Sequence, residues 1–555
     1  MAGPTRLVIV GGVAGGASAA AKARRISEDA QIIMFERGKD VSFANCGLAY
    51  HIAGTIRSRD RLLVHTPESL KDWFSIDVRT NSQVTRIDPR AKTVQVLDLS
   101  TGRQYEQPYD VLILSPGAGP VRPPIPGIGH DLVFTLRTLE DMDAIKKVVD
   151  SGRARSAVVI GAGYIGLEMA EALVVRGIRV SLVEMDRQVM APLDPEMASP
   201  IHEHLRSKGV DLQLQTKVSA IQPAAEGLEV RLDNGRQIGC DLVIVATGVR
   251  PEVELARQAG LRIGPKGGIV VDQMLRTSDP FIFAIGDAIE VREYISGIST
   301  CIPLAGPANR QGRIAAINAF GGNVRYRGTQ GTAICKVFDM TVAVTGLNEK
   351  TLAGMDIPYQ KVYLHPFSHA TYYPGATQMG LKIIFRTDNG KILGAQCVGH
   401  DGVDKRIDVL AVAIRAGMSV YDLEELELAY APPYGSAKDP VNYAGFVAAN
   451  VLKGQVKVCH SHELIGSQGD RFLLDVRTPT EFARGTIPGA VNIPLQQLRS
   501  RLSELPRDRQ IVVFCQVGMR GYLACRILAQ MGFDCCNLSG GYKTYLHTVS
   551  VMGKT

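Results

Sequence analysis

Short apolar runs that close on glycine recur along the chain: residues 7–10 (LVIV) run into Gly11-Gly12, 157–160 (AVVI) into Gly161, and 511–514 (IVVF) into a turn from Cys515 to Gly518. They are too short for helices and rich in β-branched side chains, which predicts strands buried on both faces of parallel sheets. Behind the first two turns come Ala- and Leu-rich stretches, 17–25 and 164–173, so strand, tight turn and helix is the predicted unit. The runs 31–36, 110–118, 180–184, 241–251 and 277–288 supply further strands. Residues 331–450 read differently, as strand patterns (332–346, 381–388, 392–399) followed by a helical stretch at 404–416. A fresh α/β pattern starts after the polar connection 453–464.

In a strand-turn-helix unit, glycines let the backbone approach a pyrophosphate at the helix N-terminus, and an acid about 20 residues on takes a ribose hydroxyl. Gly11 and Gly16, with Glu36 beyond them, meet this spacing, although Val13 stands where the middle glycine of G-x-G-x-x-G is expected. Gly161, Gly163 and Gly166 form the full pattern, and Glu184 follows them. Two such folds in one chain imply two dinucleotides. An acid at 184 bonds a 2′-hydroxyl and repels a 2′-phosphate, which favours NADH, while the neighbouring Arg187 offers a phosphate a partner and leaves NADPH open.

At 555 residues the chain is expected to hold three or four folded units of about 150 each. No uninterrupted apolar stretch is long enough for a bilayer span, and the apolar start, broken by glycines, reads as strand, turn and helix rather than as a leader. The net charge of +7 is spread without a basic block, which argues against a nucleic-acid partner. The 10 cysteines show no C-x-x-C or C-x4-C spacing; they fit neither a disulfide scaffold, a zinc ribbon nor an adjacent dithiol, and suit a reducing cytoplasm. His365 with His369, and Cys459 with His460 and His462, lack further ligands, so no metal is expected.

Paired nucleotide folds, the ATG strand at 246–248 and the late Gly286-Asp287 together resemble the two-dinucleotide flavoprotein disulfide reductases. The resemblance implies FAD, with Asp287 on its ribitol and Asn309 and Arg310 near flavin and substrate. More narrowly, DVSFANCGLAY at 40–50 resembles the coenzyme A disulfide reductases and their CoA-persulfide reductase relatives, over residues 5 to about 450. Cys46 has no nearby partner thiol, so it must work with sulfur supplied by substrate or through a sulfenic acid. A free thiol is about 3% ionised at pH 7; lowering its pKa to about 6 takes about 3.4 kcal/mol of preferential stabilisation, expected from a helix N-terminus, cations or the flavin pocket. By resemblance, Lys22 and Arg25 on the first helix lie beside the cysteine turn and hold CoA phosphates, with Ser42 and Asn45 at the pantetheine end. The alternative is that Lys22, Arg24 and Arg25 form a plain solvated face.

Residues 331–450 resemble the interface domain of the same superfamily, which implies a homodimer whose subunits share active sites. Its proton donors to the departing thiolate would be Tyr372 and Tyr430, with Tyr373 and Tyr434 as rivals, all in Pro/Gly-containing loops. Residues 455–550 resemble the rhodanese fold through D-V-R-x-x-x-E-F at 475–482, I-P-G-A-x-N-I-P at 487–494 and C-x-x-G-x-R from Cys515 to Arg520. Backbone N–H groups of such a loop point at the sulfur beside a helix N-terminus, and Arg520 adds positive charge. Thr486 stands where a histidine is usual and is expected to touch stability rather than chemistry; Cys525, Cys535 and Cys536 are expected to be structural.

The expected architecture is α/β: two Rossmann-like dinucleotide-binding domains, for FAD (1–120 and 250–330) and NAD(P) (121–249), an α+β dimerisation domain (331–450), a linker (451–460) and a C-terminal α/β rhodanese domain (461–555). The expected function is an FAD-dependent NAD(P)H:CoA-persulfide or polysulfide reductase that releases sulfide through Cys46, with Cys515 relaying sulfane sulfur. Coenzyme A is substrate or bound ligand, and the partners are small thiols, persulfides and polysulfides rather than a membrane or a stable partner protein. The alternatives are a strict CoA disulfide reductase, an NADH oxidase or peroxidase, and a sulfur-carrier or redox-sensing protein. A strict disulfide reductase has no use for a rhodanese domain, which favours the persulfide.

Overall fold

The computed structural model describes residues 4–465 and 469–553. The chain forms two compact units, Met1–Val183 with Thr216–Gly331, and Glu184–Gln215 with Thr332–Thr555.

In the first unit, β1 (Arg6–Val10), α1 (Ala14–Arg24) and β2 (Gln31–Phe35) are followed by α2 (Leu48–Ile52), β3 (Asp77–Arg79) and β4 (Val111–Leu114). Then come β5 (Ser156–Ile160), α3 (Tyr164–Val175), β6 (Arg179–Val183), β7 (Leu242–Val245), β8 (Ile282–Ala284) and α4 (Ala305–Ala319). One parallel sheet has the order β8-β4-β1-β2-β3. In a second, β6, β5, β7 and the strand Val133–Phe134 lie side by side, all parallel. Consecutive residues Leu7, Val8 and Ile9, like Leu112 and Ile113, are fully buried, so the unbroken apolar runs reflect cover on both faces.

The glycine turns are built alike. Gly11 and Gly161 have φ of +94° and +97°, a region that side chains disfavour, and a Cβ on Gly16 or Gly166 would collide with the carbonyl of Gly11 or Gly161. Each helix therefore starts hard against the preceding turn.

In the second unit an antiparallel sheet has the order β9-β10-β13-β12-β11, formed by β9 (Ala333–Val337), β10 (Met340–Gly346), β11 (Tyr359–Leu364), β12 (Gly380–Arg386) and β13 (Ile392–Gly399). Helices α5 (Val403–Ala416) and α6 (Pro440–Leu452) follow. A parallel sheet of order β14-β18-β17-β15-β16 completes it: β14 (Lys457–Cys459), β15 (Phe472–Asp475), β16 (Val491–Asn492), β17 (Ile511–Phe514) and β18 (Cys535–Leu538), with α7 (Met519–Gln530) and α8 (Gly541–Met552).

Helix α8 docks onto the antiparallel part. His365 Nε2 bonds Thr544 Oγ1 at 2.8 Å, Lys543 Nζ donates to Gln378 Oε1 at 2.7 Å, and Tyr363 N donates to Ser539 Oγ at 3.1 Å. Beneath lies the fully buried Lys382, whose ammonium is 2.6 Å from both Asp194 and Glu196 and also bonds Glu349. These three acids are clustered closely enough for a metal ion, but a lysine sits among them; a buried charge persists only when paired in this way. Among the described residues, no helix is long and apolar enough to cross a membrane.

Candidate active site

The first glycine turn gathers polar groups at the C-terminal ends of its sheet, where open α/β sheets bind ligands. Glu36, one residue past β2, accepts from Gly12 N at 2.8 Å and Gly38 N at 2.9 Å. Asp287 lies in the turn after β8; Gly286 N beside it donates to Gln311 Oε1 at 2.8 Å. Burial raises the Asp287 carboxyl above its usual range, against the opposing pull of Arg137. Ser18 on α1 donates to Asn309 on α4 at 2.6 Å, which sets Asn309 over the helix that follows the glycines. In the second turn Gly163 caps α3, and a Cβ there would meet nothing within 4 Å. Open space at the N-terminus of a twelve-residue helix fits a diphosphate. Glu184 follows β6 directly and accepts from Asp186 N at 2.9 Å.

Cys46 belongs to the turn Asn45–Gly47 that opens α2. The turn is pinned on both sides. Ser42, with φ +48°, donates its N–H to Gly12 O at 2.8 Å and accepts from Val64 N at 2.8 Å, while Ala44 N donates to Leu62 O at 2.8 Å. A Cβ on Gly47 would strike the end of the Leu62 side chain, so the two segments pack closely here. Ser42 is thereby buried, and Asn45 and Cys46 are exposed.

The protein groups around the thiol do not supply the expected lowering of its pKa. Partial desolvation raises it, and the nearby charges, Glu168 first and then Asp287, raise it further; a backbone hydrogen bond acts weakly the other way. The short α2 and the cations do not supply the expected acidity. Neither Lys22 nor Arg25 is among the groups acting on Cys46; they lie at the far end of α1, one helix length or about 15 Å from the Gly11 turn.

Arg24 leaves the supposed solvated face altogether. It is buried, and its guanidinium donates to the carbonyls of Ser27, Glu28, Ala30, Phe74 and Ser75, closing the end of α1. Arg25 is exposed and bonds back to Ala21 O at 2.9 Å.

In the second unit, Tyr372 and Tyr430 meet hydroxyl to hydroxyl at 2.7 Å, with their rings 73% and 47% exposed. The shared hydrogen bond holds the Tyr372 phenol above its usual pKa. Tyr373 instead packs edge-on against His369 at 5.8 Å, and Tyr434 points to solvent. Sequence reading missed the residues that fix both loops. Buried Arg406 on α5 donates to Ser368 O at 2.8 Å and to Asp439 at 2.9 Å, and Asp439 caps α6; Ala370 N to Gly435 O, 2.9 Å, ties the loops directly. An arginine among the apolar Val403, Ile407 and Leu410 of one helix face is the signal that was available. His369 bonds Ser368 and the Pro374 carbonyl, and does not meet His365.

Cys515 directly follows β17 and is buried. Its Sγ accepts from Gly518 N at 3.2 Å, one N–H of the expected cradle. Helix α8 backs the loop: Tyr542 N donates to Cys515 O at 2.8 Å and Lys543 N to Gln516 O at 3.0 Å, at a spot where a Cβ on Gly541 would collide with Cys515 O. Arg520, expected to add a fixed positive charge beside the sulfur, is paired with an acid. It forks onto Glu481 at 2.6 and 2.8 Å, pushing that carboxyl down to about 2, while the nearby Cys515 adds to the rise of the Arg520 pKa. The D-V-R-x-x-x-E spacing thus has two parts, because Asp475 and Arg477 form a buried pair at 2.6 Å whose guanidinium lies 4.3 Å from the Tyr542 ring. Thr486 donates to Asp475 at 2.8 Å, which is support for that pair.

Comparison with known proteins agrees with this geometry. The chain matches the pyridine nucleotide-disulphide oxidoreductase family over residues 5–312, its dimerisation domain over 332–439 and the rhodanese-like domain over 461–548. It is 37% identical over 447 residues to a coenzyme A disulfide reductase of Staphylococcus haemolyticus, covering 80% of this chain and 100% of that protein. The structure of reduced CoADR-RHD from Bacillus anthracis superposes with a TM-score of 0.96 at 50% identity, over 99% of both chains. An NAD-dependent persulfide reductase from A. fulgidus does so with 0.91 at 40%, over 97% of this chain and 100% of that one. The chain therefore belongs to the pyridine nucleotide-disulphide oxidoreductase family, which uses FAD and NAD(P)H, and it carries the family's dimerisation domain together with a rhodanese-like domain.

Proposed function

We propose that this protein reduces the sulfane sulfur of a coenzyme A persulfide, or of a related polysulfide, to sulfide with NAD(P)H as the electron source. FAD, held by Gly11, Gly16, Glu36 and Asp287, supplies two-electron transfer between nicotinamide and sulfur. Gly161, Gly163, Gly166 and Glu184 hold the NAD(P)H. Cys46 as thiolate attacks the outer sulfur of the persulfide, its bond to the inner sulfur breaks, and CoA leaves as a thiolate that takes a proton from Tyr372 or Tyr430. The protonated Cys46 persulfide, given two electrons and one proton, returns the Cys46 thiolate and hydrogen sulfide. Two copies join through residues 331–450, so that the tyrosines of one serve the cysteine of the other. Lys22 and Arg25 hold the CoA phosphates, Ser42 and Asn45 the pantetheine arm, and Asn309 borders flavin and substrate.

One observation supports the choice of acceptor: a chain with an exposed, free Cys46 also has a rhodanese-like domain in which Cys515 accepts from Gly518 N. Cys515 collects sulfane sulfur and passes it toward Cys46 through CoA. The test is anaerobic NADH oxidation with sulfide measured for CoA persulfide, glutathione persulfide, inorganic polysulfide and CoA disulfide. Stoichiometric sulfide from the CoA persulfide is expected. Rapid turnover of CoA disulfide alone, without sulfide from any persulfide, would make the protein a strict disulfide reductase.

A further inference from the structure

Helix α8 starts within the rhodanese-like domain, and its first turn is shared by two loops. The backbone N–H groups of Tyr542 and Lys543 bond the carbonyls of Cys515 and Gln516 at 2.8 and 3.0 Å. Side chains of the same turn grip the loop that carries Tyr372: Lys543 Nζ donates to Gln378 Oε1 at 2.7 Å, and Thr544 Oγ1 bonds His365 Nε2 at 2.8 Å. His365 and Gln378 stand at the two feet of that loop. Phe367 pairs with Gln378, Met379 N donates to Pro366 O at 2.9 Å, and Ser368 N donates to Thr377 O at 2.8 Å. We propose that Lys543 is a positioning residue for Tyr372, so that the rhodanese-like domain builds part of the reductase's proton-donor site as well as handling sulfur. The proposal rests on the reading that Tyr372 and Tyr430 protonate the departing thiolate.

The anchoring of the loop supports this. Arg406 pins its outgoing side at Ser368 O, 2.8 Å, and Lys543 pins its returning side at Gln378. The helix that carries Lys543 has little room to shift. A Cβ on Gly540 would press on Tyr363 at 2.8 Å, one on Gly541 would collide with Cys515 O, and Ser550 in the last turn bonds Ser199 at 2.6 Å. An ammonium drawn out of water needs an acceptor. Burial lowers the Lys543 pKa, with Glu203 opposing, and Gln378 Oε1 is the acceptor that the ammonium meets. Such a support matters to rate because a general acid works only within hydrogen-bond reach of the group it protonates.

The test is steady-state reduction of preformed CoA persulfide by the full-length holoenzyme, with Lys543→Met placed in two backgrounds and flavin absorbance checked in each variant. Where Tyr430→Phe leaves Tyr372 as the donor, Lys543→Met should lower kcat about tenfold and leave KM within about twofold, the mark of an interaction made in the transition state. Where Tyr372→Phe leaves Tyr430 as the donor, the same change should leave kcat within about twofold, because the residue it positions is already gone. Lys543→Arg keeps a donor for Gln378 and should restore the rate in the first background; Gln378→Leu should reproduce the loss. Equal losses in both backgrounds, which a general weakening of the fold would give, or no loss in the first, overturn the proposal. Parental kcat in the double variant Tyr372→Phe/Tyr430→Phe would instead overturn the tyrosines' role, and the two failures are separate.

Discussion

Cys46 stands exposed at the start of a five-residue helix with Glu168 and Asp287 as its charged neighbours, whereas Cys515 is buried at a strand end, bonded by Gly518 N and beside Arg520. The first arrangement leaves room for a bulky partner and discourages a standing thiolate. The second holds the sulfur against backbone N–H and a guanidinium, groups that stabilise a small anion. Access and backbone N–H contact are thus divided between two thiols of one chain. The relay proposed above would use this division: Cys46 as the reducing thiol would admit a large carrier, and Cys515 as the collecting thiol would keep a reactive persulfide out of water.

The sharpest way to break the comparison is Cys46→Ser. Loss of the nucleophile should cut NADH-dependent reduction of every sulfur acceptor by at least about a thousandfold, while NADH still bleaches the flavin in a stopped-flow trace. Acceptor reduction at the parental rate would leave the exposed thiol without a role. Next in size is the tyrosine pair. Because Tyr372 and Tyr430 share a 2.7 Å hydrogen bond, each can cover part of the other's task. Single changes to Phe should cost about threefold in kcat/KM and the double change about a hundredfold, more than the product of the singles and within the range for a general acid, whereas Tyr434→Phe should cost little. Cys515→Ser sharpens the other side: sulfide formation from an added sulfane donor should fall about tenfold or more, with reduction of preformed CoA persulfide unchanged within twofold.

How much of this was legible in the sequence depended on the range of the contacts involved. The strand-turn-helix units, the cysteine turn at 45–47 and the loop from Cys515 to Arg520 are local, so spacing along the chain was enough to find them. That Tyr372 and Tyr430, 58 residues apart, meet hydroxyl to hydroxyl was not legible in the spacing. The misreadings are all long-range. Arg24 looked like a solvated cation until Phe74 and Ser75 supplied carbonyls from fifty residues away. Arg406 with Asp439, and Lys382 with its three acids, are buried pairs assembled only by packing. The acids that act on Cys46 were hidden for the same reason, since Glu168 stands more than a hundred residues away in the chain.

The smallest effect tests the pair that tempers the charge beside Cys515. Glu481 is held at about 2, below its ordinary 4.5, chiefly by Arg520. A carboxyl lowered on folding contributes stability that is fully present above the unfolded value and is lost as pH falls toward the folded one. The window is therefore about pH 4.5 down to 2. The pair is partly solvated, so its contribution should be no more than about 1 kcal/mol. In acid unfolding followed by circular dichroism, Glu481→Gln should flatten the pH dependence of stability within that window and leave neutral stability nearly unchanged. The same substitution frees Arg520 to face Cys515 alone, so persulfide on Cys515 should persist longer than in the parent at neutral pH. A shorter lifetime would mean that Glu481 orients the guanidinium rather than neutralises it.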